Sequence, residues 1–86
     1  MPTVWRQLHP GMARSDVLSI IGTDTFDARS VKGCEIAGVE TSMAGMSSSW
    51  VIFLRYDPSD RLTAADAAFT NNVTSIFSLD EHSVFQ

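Results

Sequence analysis

The sequence predicts an α+β fold: two short N-terminal helices packed on a three-stranded antiparallel sheet, closed by a C-terminal helix or strand. Three observations predict it. Apolar residues recur at helical spacing ahead of residue 22. Trp50–Tyr56 (WVIFLRY) is dense in the aromatic and branched residues that suit a pleated surface. Asp57-Pro58-Ser59-Asp60 then supplies turn chemistry, Pro presetting φ and Asp capping the turn backbone, ahead of a second extended run.

Val4, Trp5 and Leu8 share one side of a short helical turn over residues 4–8. His9-Pro10-Gly11 ends it, because Pro restricts the residue before it and Gly permits a tight bend. The second helix spans Arg14–Ile21. Val17, Leu18, Ile20 and Ile21 form its apolar stripe, with Arg14, Ser15 and Ser19 toward water. Asp16 suits the positive end of the helix dipole, and Gly22 falls where a left-handed cap is expected. Ala13 is a poor N-cap. A weak first strand follows within residues 28–40, carrying Val31, Cys34, Ile36 and Val39. Thr41–Ser49 (TSMAGMSSS) reads as a loop longer than a hairpin needs. Trp50–Tyr56 is the second strand and Leu62–Thr70 (LTAADAAFT) the third. Residues 70–86 form a tail whose spaced apolar residues fit a short helix or a further strand.

At 86 residues the chain is expected to be one domain over 1–86, with one small core. An apolar share of 44% and eight aromatics exclude a disordered or collagen-like chain. A net charge of −4 argues against nucleic acid as a partner, because phosphate contacts need a basic surface. No apolar run is long enough to span a bilayer as a helix, so no membrane partner is expected. The start of the chain lacks the basic and apolar regions of a secretory signal, and Cys34 is the sole cysteine. Together these give a cytoplasmic expectation.

The stretch Leu8–Gly22 (LHPGMARSDVLSIIG) is similar to the "GMT-x-x-x-V-x-x-x-x-G" helix of the SmpA/OmlA (BamE-like) family, whose fold is shared by the β-lactamase-inhibitor-protein repeats. Gly11, Met12, Val17 and Gly22 match the pattern, and Ala13 stands at the usual Thr. Val51–Leu62 resembles the second and third strands of the family, with Tyr56-Asp57 in place of a Phe-Asp pair. The resemblance covers residues 4–70 and implies the helix–helix–three-strand order. Lipoprotein members carry a lipidated N-terminal Cys, absent here, and serve envelope assembly. Inhibitor-type members dock the sheet of this fold onto a target protein. The resemblance therefore implies a soluble, non-enzymatic protein-binding inhibitor, such as a bacterial immunity protein that neutralises a toxin. An envelope-assembly accessory or a small ligand-binding protein is the alternative.

No residue pattern points to catalysis, a cofactor or a metal. His9, His82 and Cys34 lack ligand spacing. Ser47-Ser48-Ser49 lacks a nucleophile elbow, and Gly33, Gly38 and Gly45 are not a phosphate loop. Glu35 and Glu40 fall on opposite faces of a regular strand, so they make no acid–base pair. Partner binding is the remaining expectation. Alternation puts Trp50, Ile52, Leu54 and Tyr56 toward the helix and Val51, Phe53 and Arg55 outward. A regular third strand would bury Leu62, Ala64 and Ala68 and set Phe69 beside Phe53. The expected partner-binding residues are Val51, Phe53, Arg55 and Phe69 on this apolar face, with Asp57, Asp60 and Asp66 as an acidic edge that steers a basic protein. The face is also suited to a homodimer, or to cover by the tail through Ile76, Phe77 or Phe85. Residues 57–86 set five acids against Arg61 alone, so the whole net charge of −4 sits there.

Overall fold

Most element boundaries have a local cause. The computed structural model describes residues 1–22, 25–43, 46–70 and 79–85. A 3₁₀ helix, Thr3–Gln7, opens the chain and buries Trp5. At Gly11 the backbone turns with φ +83°. The Gly11 N–H donates to the Leu62 carbonyl, and the Leu62 N–H donates to the Met12 carbonyl, each at 2.8 Å. This ties the linker between the helices to the third long strand. Helix α1, Arg14–Ile21, starts at Ala13 with no side-chain cap and ends at Gly22. There φ is +72°, and the Gly22 N–H donates to the Leu18 carbonyl, a left-handed cap that only glycine adopts freely. Val17 and Ile21 are its buried residues.

Strand β1, Phe26–Asp27, precedes the segment 28–40 expected as a weak strand, and the single-turn helix α2, Arg29–Lys32, occupies the start of that segment. Val31 therefore belongs to a helix. Strands β2, Glu35–Met43, and β3, Met46–Tyr56, run through most of the segment read as a loop. Strand β4 is Leu62–Thr70 and β5 is His82–Ser83. The sheet is antiparallel in the order β1-β2-β3-β4-β5, three long strands with a two-residue strand at each edge. The α+β class is as expected, but the arrangement of two helices and three strands is not. The first helical turn is 3₁₀, α2 is additional, and the sheet gains both edges. The tail contributes a strand at its end; the apolar residues Ile76 and Phe77 lie outside the described residues. Among the described residues no helix is long and apolar enough to cross a membrane.

The sheet is packed on both sides. Trp5, Leu8, Val17 and Ile21 cover one face, against Ala37, Ile52, Leu54, Leu62, Ala65, Ala67 and Val84. On the other face Ala28, Cys34, Ile36, Phe53 and Ala68 form a second cluster, joined by Val51 and Leu79. One irregularity decides which face β4 shows. Arg55 pairs with Ala64 but Tyr56 pairs with Leu62, so Thr63 is an extra residue. The Thr63 Oγ1 donates to the Arg55 carbonyl at 3.1 Å and holds this bulge in place. Side chains alternate along a strand, so one extra residue inverts the faces of everything beyond it. Ala65 and Ala67, not Ala64 and Ala68, therefore join Leu62 under the helix.

Candidate protein-docking surface

The bulge reassigns the residues expected to bind a partner. Phe53 pairs with Asp66 and Val51 with Ala68, whereas Phe69 pairs with Trp50. Phe53 and Phe69 thus lie on opposite faces, a correction to the expected double-phenylalanine patch. Nor is the face around Phe53 open. Phe53 is 0% exposed. The Lys32 Nζ sits 4.6 Å above its ring centroid, and Leu79 packs beside it. Val51 is half-buried in the same cluster.

Ionic contacts seal this cover. Lys32 Nζ donates to Glu81 Oε2 at 3.0 Å. Arg55 Nη1 donates to Asp66 Oδ2 at 3.3 Å and stands 3.9 Å from Glu81 Oε1. Arg55 and Asp66 hold each other rather than facing a partner unpaired. The Cys34 thiol is buried here, and burial raises its pKa, which disfavours the reactive thiolate.

Asp57 is engaged in the turn that connects β3 and β4. Its Oδ1 accepts from the Ser59 and Arg61 backbone N–H groups at 2.8 and 3.0 Å. Asp60 is exposed at φ 58°, the one described non-glycine residue in left-handed space. Asp residues tolerate that conformation better than most, because their short polar side chain bonds locally. The acidic edge thus reduces to Asp60, next to Arg61, with Asp57 as a structural turn residue.

Phe69 remains. It is 50% exposed, the one large exposed hydrophobic residue among those described. Its ring meets Trp50 edge-on, with centroids 5.2 Å apart and planes at 65°. Both strands beneath are hydrogen-bonded into the sheet, so the aromatic pair is held on a stiff base. Strand alternation alone assigns Trp50 to the helix-covered face and gives no sign that it partners an exposed ring. The only signal was the parity of β4, which the bulge conceals.

A polar site lies at the opposite end of β3. Arg14, read as solvent-facing, reaches from α1 to Glu35 with two parallel bonds, Nε to Oε1 at 2.7 Å and Nη2 to Oε2 at 3.0 Å. Thr25 Oγ1 also donates to Glu35 Oε2 at 2.8 Å. These bonds, the Arg14 pair first, hold the carboxyl below its ordinary range although burial opposes them. Nearby, burial pushes the Tyr56 hydroxyl up to about 12, aided by the Glu35 charge. Among the described residues, the buried Tyr56 hydroxyl and Trp5 indole N–H have no hydrogen-bond partner. A polar cavity of about 70 Å³ adjoins, lined by Arg29, Glu35, Tyr56, Asp57 and Asp60 among others. Its size suits a few waters rather than an organic ligand. Among the described residues no three His, Cys, Asp or Glu side chains converge to hold a metal ion. No family model, curated protein or solved structure matches the chain.

Proposed function

We propose that the chain acts by binding another protein, as a non-enzymatic inhibitor of the immunity-protein kind that neutralises a toxin by docking on it. The observation that carries this reading is the Phe69–Trp50 pair. A half-exposed phenylalanine leaves half of its ring in water, and that half adds nothing to the stability of the fold. Rigid aromatic anchors of this kind supply most of the energy at protein interfaces, because they bury a large area with few rotamers to freeze. The resemblance to the SmpA/OmlA-like and inhibitor-repeat group supports the same mode of action, sheet against target.

The test is affinity capture from the native host with the wild-type chain and with Phe69→Asp. The expected result is one protein retained by the wild type, lost with Phe69→Asp, and toxic when expressed alone but harmless with the wild-type chain. A partner retained equally by both would remove Phe69 from the interface. Absence of any partner at micromolar concentration would overturn the docking reading. A partner found only in the membrane fraction would instead favour an envelope-assembly accessory.

A further inference from the structure

Phe53 and Phe69 lie on opposite faces of the sheet, and their surroundings differ by one charge. On the covered face, Lys32 Nζ stands 4.6 Å above the Phe53 ring centroid and donates to Glu81 Oε2 at 3.0 Å. A cation is thus shared between an aromatic face and a carboxylate from the segment that leads into β5. The other face repeats two of these three parts. Ala67 pairs with His82, so the two share the helix-side face. Phe69, two residues beyond Ala67, lies on that face as the diagonal neighbour of His82. Asp80 Oδ2 stands 3.2 Å from His82 Nε2, which brings a carboxylate to the same side. Trp50 steadies the Phe69 ring edge-on, yet Phe69 is 50% exposed and the Asp80 side chain 92% exposed. Among the described residues no Lys or Arg stands over Phe69 or pairs with Asp80.

We propose that the protein docking here supplies the third part: an arginine or lysine side chain seated on the Phe69 ring, with Asp80 as its counter-ion. The inference rests on the docking reading above and names the chemistry of what docks. The face of an aromatic ring attracts a cation, and the attraction grows as water is excluded. Arginine suits the site best, because its planar guanidinium lies flat on a ring while its edge donates two bonds to a carboxylate. Other occupants fit worse. A purely apolar partner would strip water from Asp80 and offer no donor in return. An acidic partner would meet the same carboxylate as a like charge. The Phe53–Lys32–Glu81 arrangement shows that this chain already satisfies a phenylalanine and an adjacent carboxylate with one basic side chain.

A phage library of random dodecapeptides, panned on the full chain and counter-selected on Phe69→Asp, tests this without the natural partner. The peptides enriched should carry an Arg or Lys flanked by apolar residues, and synthetic copies should bind the full chain in solution. Replacing that basic residue by Gln should weaken binding roughly tenfold. Asp80→Asn changes a side chain that is 92% exposed, so the fold stays intact, and it should weaken the same peptides by a similar factor. Asp80→Lys should weaken them further, by setting like charges together. Peptides that need Phe69 but carry no basic residue would overturn the proposal and leave the docking reading standing. So would basic peptides that bind Asp80→Asn as tightly as wild type. A library that yields no Phe69-dependent peptide would overturn both.

Discussion

Glu35 and Arg14 are unequal partners, and the inequality predicts how each mutation behaves. The Glu35 side chain is 8% exposed, while that of Arg14 is 40% exposed. Arg14→Ala strands a carboxylate in the interior with only Thr25 as donor, whereas Glu35→Gln releases a guanidinium that reaches water. Urea denaturation at neutral pH should show a loss of about 2–3 kcal/mol for Arg14→Ala and about 1 kcal/mol for Glu35→Gln. The pH dependence has a definite sign. Glu35 titrates lower in the folded chain than in the unfolded one, so its stabilisation is complete above about pH 4.3 and is lost as pH falls below that. Wild type and Glu35→Gln should converge on acidification. Tyr56 has the opposite sense. Its folded pKa is raised to about 12, so stability falls as pH climbs past about 10, where the unfolded phenol ionises first. Tyr56 is the sole tyrosine, so phenolate absorbance follows it alone. Tyr56→Phe should reduce the alkaline loss, leaving the part that the buried Cys34 thiol contributes. Because the hydroxyl has no protein partner among the described residues, the substitution should leave neutral stability nearly unchanged.

At the scale of elements, the bulge at Thr63 and the strap at Leu79–Glu81 set which aromatic is core and which is surface. Phe53→Ala should cost about 3–4 kcal/mol in denaturant unfolding, the cost of a cavity beneath Lys32 and Leu79. Phe69→Ala should cost about 1 kcal/mol or less, since half of the ring is already in water. Equal costs would contradict the inverted faces. Helix α1, its glycine cap, the turn at Asp57–Asp60 and the inward side of β3 were legible in sequence, because each depends on residues adjacent in the chain. The faces of β4 were not legible. They turn on one extra residue after the hairpin, and LTAADAAFT has alanines on both parities, so hydrophobicity does not vote for either register. The Arg14–Glu35 clamp was hidden for a different reason. It joins residues 21 apart that meet only after α1 lies over the start of β2. TSMAGMSSS reads as a loop because small polar residues are poor strand formers in isolation. Pairing with neighbours at Val39 and Trp50 carries them into the ladder.

For the whole molecule, the charge map changes once the chain is folded. All of the net −4 falls in residues 57–86, which in sequence suggested an acidic end facing a basic partner. Folding spends two of those five acids on bases from the first two-thirds of the chain: Asp66 on Arg55, and Glu81 on Lys32 and Arg55. Asp57 is committed to its turn. The exposed acids left in this region are Asp60 and Asp80, the latter 3.2 Å from the His82 ring. Electrostatic steering depends on charges that reach solvent, because buried or paired charges produce little field at a distance. Asp60→Asn, which keeps a residue suited to the left-handed backbone, combined with Asp80→Lys should therefore slow association with a basic partner and flatten its salt dependence, while the melting curve stays near that of wild type. Reversal of Asp57 and Asp66 should act differently. It removes the turn cap and sets a lysine beside Arg55, so thermal unfolding should shift to lower temperature before any effect on the association rate is reached. Stopped-flow association across a salt series, read beside the melting curves, separates the two. If the Asp57/Asp66 pair alone governed the on-rate in a chain still folded, the acids at the sheet edge would be the steering surface after all, and the ion pair at Arg55 would have to open as the partner arrives.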